Sequence, residues 1–151
     1  MNEQEINSKL KRNTAFLGTF AINELDEIKI SNFPSFAIIN MGERLSGGNH
    51  WIAIAIYSND LYLCDSLGGL IPGNSIPLQL IKFLHPLLIH RKFHMTKQLQ
   101  PETSGSCGSY CTTFINVMSK THSFCKFISL FTSNLYQNDH IIKFLNKSGD
   151  I

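Results

Sequence analysis

The chain has 151 residues, 43% apolar and 11% aromatic, which suits one domain over residues 1–151 with a sizeable core. Charged residues make up only 16%, against roughly 25% in an average soluble protein, and the formal charge of +2 by itself points to neither a nucleic-acid nor a membrane partner. Residues 1–12 are polar and charged and no apolar run approaches the ~18 residues of a membrane span, so the expectation is no secretory signal, no membrane segment and reduced thiols.

In chain order, Ile6 and Leu10 stand four apart in a polar stretch and predict a short amphipathic helix over residues 2–11. Residues 16–20 form a small apolar island around Gly18, and residues 23–34 read as irregular chain. Residues 35–41 are β-compatible. Residues 42–49 contain Gly47-Gly48 and form a loop. Residues 51–57 carry no polar side chain except the Tyr57 hydroxyl, as expected of a central strand buried on both faces. The turn Ser58-Asn59-Asp60 then leads into a second strand over residues 61–65, closing an antiparallel hairpin. After a glycine-rich loop, Ser75 and Pro77 predict a helix to about His85, which Pro86 should end or kink. One more strand is expected over residues 92–99, and a polar loop over residues 101–106. A helix follows from Cys107 with Cys111, Phe114, Ile115 and Met118 at helical spacing, then two short helices over residues 124–131 and 139–146. Strands first and helices mostly afterwards imply an α+β fold, with a mixed or antiparallel central sheet flanked by helices.

Of the four cysteines, Cys64, Cys107, Cys111 and Cys125, Cys107 has the sequence context of a nucleophile. It ends a loop and opens a helix, where free backbone N–H groups and the positive dipole end favour a thiolate. Gly108 beside it leaves space for a close backbone approach. Cys111 and Cys125 read as buried structural thiols, and no second pair at matching spacing accompanies Cys107 and Cys111, so no metal site is expected. His50 stands where a glycine-rich loop meets the buried strand, a rigid place for a base, and Trp51 next to it is expected to pack beside the imidazole and shield it from water. Asp65 ends the partner strand. A hairpin loop over residues 57–60 would set Asp65 opposite Ile52, on the face His50 shares. A two-residue loop, Asn59-Asp60, would leave it too far away. Asp65 is also a plain starter of an Asx turn. Gln100 can supply an amide donor to an oxyanion, with the Cys107 backbone N–H as the second donor and Gln98 as a competing glutamine.

Together these residues resemble the adenovirus maturation protease (adenain) family. The similarity runs through Glu3-Gln4-Glu5, residues 16–20, residues 37–40, Gly42, Gly47-Gly48-Asn49-His50-Trp51, residues 61–65 with Leu67-Gly68, and Gln100 with Cys107-Gly108 and Cys111. The order His, acid, Gln, Cys is that of the clan shared with the ubiquitin-like-protein proteases. The resemblance implies a cysteine endopeptidase with His50, Asp65 and Cys107 as the catalytic set and Gln100 as oxyanion donor. It implies polypeptide substrates, namely viral precursor proteins cut near small residues during particle maturation, a monomer, and no required metal or redox cofactor. The virion and the nucleus or cytoplasm of the infected cell are the locations it implies. A viral peptide or DNA is the implied activator, but residues 87–98 hold no cysteine, so the family's disulfide tether cannot form in the same way. Asp65 replaces the family's usual glutamate, and Asp65-Ser66-Leu67 is more like the ubiquitin-like-protein proteases. Two rival readings follow. One is removal of a ubiquitin-like modifier by the same residues. The other is a non-catalytic module that binds nucleic acid through Lys9, Lys11, Arg12, Lys82, Arg91, Lys92 and Lys97.

Overall fold

A computed structural model describes residues 1–42, 50–69 and 76–148. The expected loop at Gly47-Gly48 and the expected helix cap at Ser75 lie outside the described residues. The first helix, α1 (Glu3–Leu10), begins with a capping box in which the Asn2 side chain accepts from the Glu5 N–H and the Glu5 carboxylate accepts from the Asn2 N–H. Its Ile6 and Leu10 are buried, as the spacing predicts.

The strands are β1 (Phe16–Ala21), β2 (Ser35–Asn40), β3 (Trp51–Ile56), β4 (Asp60–Cys64) and β5 (Lys92–Met95). They form one five-stranded sheet in the order β1-β2-β3-β4-β5. The two outer pairs are parallel and the two inner pairs antiparallel, so the sheet is mixed. A short 3₁₀ turn (Ile22–Glu27) lies in the connection from β1 to β2, and α2 (Leu78–Leu88) crosses from β4 to β5. The remaining helices are α3 (Cys107–Thr121), α4 (Phe124–Ile128) and α5 (Leu135–Ser148).

Strand alternation divides the core. Phe36, Ile38, Ala53, Ala55 and Cys64 pack with residues of α1, α3, α4 and α5 on one face. Ala37, Ile39, Ile52, Ile54, Ile56, Leu61 and Leu63 pack with α2 and the 3₁₀ turn on the other. Both sides of β3 are therefore covered, which is why its sequence lacks polar alternation. Ten of the 15 residues of α3 are buried, all within its stretch from Cys107 to Met118, with Tyr110, Cys111, Phe114 and Ile115 at 0% exposure, so α3 is the central helix.

Three expectations are corrected. The island at residues 16–20 is a strand, β1. Gly18 at φ +131° lies where the register slips between Phe16 and Thr19, and this bulge breaks the alternation that marks a strand. Pro86 does not end α2, which continues to Leu88. Pro86 and Lys82 are exposed, so the Lys82 carbonyl that loses its helical donor faces solvent. The strand expected over residues 92–99 closes at Met95, and beyond it Gln98 regains a bridge, to Leu67.

Candidate active site

The β3–β4 hairpin turns on a Tyr57 N–H to Asp60 carbonyl bond of 2.9 Å, and its register runs from Ile56↔Leu61 to Ala53↔Cys64. One step further sets Asp65 beside Ile52, the longer-loop alternative of the sequence reading. His50 is fixed from the other side, because its carbonyl accepts the Met41 N–H at 2.8 Å beyond the last rung of β2 and β3. Both side chains thus leave the same end of the sheet from anchored backbone. His50 Nε2 lies 2.7 Å from Asp65 Oδ1, and the two residues are 4% and 0% exposed.

Asp65 is held as firmly as the histidine. Its N–H donates to Thr96 Oγ1 at 2.9 Å, and that hydroxyl donates back to the Asp65 carbonyl at 2.7 Å. Asp65 Oδ1 also accepts the Leu67 N–H at 3.0 Å. The Asx turn and the histidine contact are therefore one arrangement, in which the turn aims the carboxylate.

Cys107 is the first residue of α3, with Ser106 as its N-cap residue. Its thiol lies close enough to the His50 imidazole for each group to shift the protonation of the other. With Nε2 committed to Asp65, Nδ1 is the nitrogen left for the sulfur. Burial disfavours the charged imidazole, but the Asp65 and Cys107 hydrogen bonds and the charges of both partners outweigh it and raise the His50 pKa to about 9. Burial also pushes the Cys107 thiol up. The hydrogen bond and charge of His50, with backbone hydrogen bonds from Trp51 and Gly108, outweigh that and lower its pKa. Both shifts run in the direction that favours a thiolate beside an imidazolium.

One turn along the same helix, Cys111 goes the other way. Burial first, then a hydrogen bond with Cys64, raises its pKa well above the ordinary thiol value, and its Sγ donates to the Trp51 carbonyl at 3.3 Å. Cys64 is also buried, whereas Cys125 on α4 is exposed, against the expectation of a buried structural thiol. It occupies the outer face of a five-residue helix whose buried residue is Phe127.

The other site residues are placed as follows. Trp51 packs, half-buried, against the α3-side core, and its main chain touches both Cys107 and Cys111. At Gly108 a Cβ would meet Met1 Cβ at 3.1 Å and Ile6 Cδ1 at 3.5 Å. The space expected there for a substrate backbone is filled by the start of the chain, and it is the Gly108 backbone that serves the thiol. Gln100 is 1% exposed, and its Nε2 donates to the Ser104 carbonyl at 2.8 Å. Gln98 instead lines a cavity of about 370 Å³ with Met95, Phe124 and Phe131, and its amide donates to the Gln100 carbonyl at 3.1 Å. Gln100 is thus tied to the loop that runs into Cys107, and Gln98 to the wall of the cavity.

The other histidines are elsewhere. His94 pairs with Asp60 at 2.9 Å, at the far end of β4 from Asp65. His122 caps α3 in a left-handed conformation and stacks on Tyr57 at 4.0 Å. His85, His90 and His140 are exposed. Among the described residues no group of three or more His, Cys, Asp or Glu is arranged to hold a metal ion, and no helix is long and apolar enough to cross a membrane.

The sequence reading missed Thr96, Ser66, Tyr110 and Asn138. Thr96 and Ser66 are 4% and 0% exposed. Asn138 Nδ2 donates to the Leu99 carbonyl at 3.0 Å and so fixes the chain entering Gln100, while Tyr110 Oη, beside the same carbonyl, donates to Asp139 Oδ1 at 2.8 Å. Ser66 carried one signal, its place directly after Asp65 at a strand end. The others carried none, because their partners are distant in sequence.

The adenovirus endoprotease family model matches residues 16–71. A protease of Bovine adenovirus 7 is 30% identical over an alignment covering 94% of this chain and 82% of the relative. A protease of Ovine adenovirus D serotype 7 (isolate OAV287) is 32% identical, covering 72% of this chain and 58% of its own length. Among solved structures, the Se-Met ASFV pS273R protease superposes with a TM-score of 0.61 at 15% identity, over 95% of this chain and 65% of that one, a likeness of fold.

Proposed function

This chain belongs to the adenovirus endoprotease family of cysteine peptidases, and from that premise we propose that Cys107 is the nucleophile with which it cleaves viral precursor polypeptides during particle maturation. The observation that carries this reading is one buried imidazole shared by a carboxylate, at 2.7 Å, and a thiol of lowered pKa.

The Cys107 thiolate attacks the scissile carbonyl. The carbonyl oxygen becomes an oxyanion, received by the second N–H of Gln100 Nε2 and by the Cys107 backbone N–H. The His50 imidazolium gives its proton to the departing amine. The neutral ring then takes a proton from the water that hydrolyses the acyl-enzyme. Asp65 keeps Nε2 protonated and the ring turned so that Nδ1 faces the sulfur. None of these steps calls on a metal or redox group. A viral peptide or DNA, engaged without a disulfide, is the activator that fits the same reading. The protein then works as a monomer in the virion and in the nucleus or cytoplasm of the infected cell.

Asp65→Asn separates the orienting role from the charge. The amide still accepts from the ring and from Leu67 but no longer stabilises the imidazolium. The expected loss in kcat is about 10- to 10²-fold, smaller than in serine enzymes because the thiolate needs less help from a base. A variant at full rate would mean that another group orients His50.

The test of substrate class pairs a fluorogenic glycine-containing peptide with a fluorogenic ubiquitin-like conjugate. Endopeptidase function predicts turnover of the peptide, and cleavage of a co-expressed capsid or core precursor with a new N-terminus beside a small residue. Turnover confined to the conjugate would move the protein to the deconjugating reading.

A further inference from the structure

Gln100 is useful to an oxyanion only if its nitrogen, and not its oxygen, faces the reacting carbonyl. The two ends of an amide have nearly the same shape, so packing alone does not choose between them. At one end of this amide stands the Ser104 carbonyl, which can only accept, and Gln100 Nε2 donates to it at 2.8 Å. At the other end stands the Ser66 hydroxyl, which donates to Gln100 Oε1. Ser66 and Gln100 are 0% and 1% exposed, so water does not compete at the Ser66 end.

The main chain of Ser66 serves the same residue. Its carbonyl accepts the Leu99 N–H at 2.8 Å and the Gln100 N–H at 3.0 Å. This close approach depends on Gly68, at φ +77°, where a Cβ would lie 2.3 Å from the Gln98 backbone nitrogen. The residue that follows Asp65 thus governs the segment that carries Gln100.

We propose that Ser66 is a positioning residue for the oxyanion site, whose hydroxyl locks the Gln100 amide with its free N–H toward the scissile carbonyl. This inference rests on the protease reading above. Donation into Oε1 also polarises the amide and strengthens Nε2–H as a donor. Without the hydroxyl, Oε1 is a buried acceptor with no donor, and the amide turns or shifts to find one. The strand that delivers Asp65 to His50 therefore delivers Ser66 to Gln100 in the next residue, coupling the base and the oxyanion site through one dipeptide.

The test is a double-mutant cycle on the fluorogenic glycine-containing peptide, with iodoacetamide alkylation of Cys107 as control. Alkylation forms no oxyanion and reports only the thiolate. Ser66→Ala should lower kcat about 10- to 10²-fold, part of what losing an oxyanion donor costs, with KM and the alkylation rate near wild type. In the Gln100→Ala background the same change should add no more than about twofold. Full activity of Ser66→Ala beside a slow Gln100→Ala, or equal slowing in both backgrounds, overturns the proposal. Should Ser66→Ala not fold, Ser66→Cys carries the same cycle with a weaker donor. It is expected to be several-fold slow only where Gln100 is present, and equal slowing in both backgrounds again overturns the assignment. Wild-type hydrolysis that survived Cys107→Ala would instead sink the protease reading, whatever Ser66 does.

Discussion

Cys107→Ala is expected to lower peptide hydrolysis roughly 10⁴–10⁶-fold, the scale on which removal of a nucleophile acts in enzymes of this kind. The loss is chemical, because alanine has no atom that can form the acyl-enzyme. The fold should survive. The side chain removed is small, it begins α3 rather than filling the helix interior, and alanine suits a helix. His50 keeps its Asp65 partner. Thermal unfolding within a few degrees of wild type, with no turnover, is the expected outcome. Cys125→Ala supplies the contrast, since that thiol is exposed on α4, and full activity is expected. Equal inactivation of both variants would contradict the assignment of Cys107.

Gln100→Ala should cost about 10²–10³-fold in kcat, with KM little changed, because its free N–H acts only once the carbonyl oxygen has become an oxyanion. This variant has a structural cost as well. The Ser66 hydroxyl loses its partner in a buried place, for a destabilisation of about 1–3 kcal/mol, and the part-buried Ser104 carbonyl loses one too. Kinetics and unfolding must therefore be measured together. Iodoacetamide labelling of Cys107 distinguishes the two effects, since a folded variant with an intact thiolate labels at the wild-type rate while hydrolysing slowly. A Gln100→Ala enzyme with full kcat would remove the oxyanion role and return attention to Gln98.

Much of the site was legible because it rests on two local signals. The unbroken apolar stretch of β3 and the turn after it predict a hairpin, and period-2 parity then requires His50 and Asp65 to share a face. What parity leaves open is register, and the Tyr57–Asp60 bond decides it. Cys107 was legible from a loop running into a helix with apolar residues at helical spacing. The family resemblance, rather than periodicity, raised His50, Asp65, Gln100 and Cys107 from separate candidates to one set.

Other parts of the fold depend on contacts that no local pattern encodes. β1 is hidden by the bulge at Gly18. Pro86 remains inside α2 because of which helix face meets water, a property of the packed molecule. Ser66 and Gln100 are 34 residues apart and Thr96 and Asp65 are 31 apart, and each pair meets only when β5 lines up beside β4. Cys111 and Cys107 share a helix and an apolar setting in sequence. They diverge because one thiol meets an imidazolium and the other meets a second buried thiol.

The most direct measurement is the rate of Cys107 alkylation by iodoacetamide against pH in the Cys125→Ala protein. Only the thiolate reacts, so a depressed thiol pKa moves the rise in rate to lower pH, and the raised His50 pKa adds a second change as the imidazolium loses its proton near pH 9. The account predicts rapid labelling already at neutral pH and two steps in the profile. A single rise centred on the ordinary thiol value of 9.0, with negligible labelling at neutral pH, would contradict it.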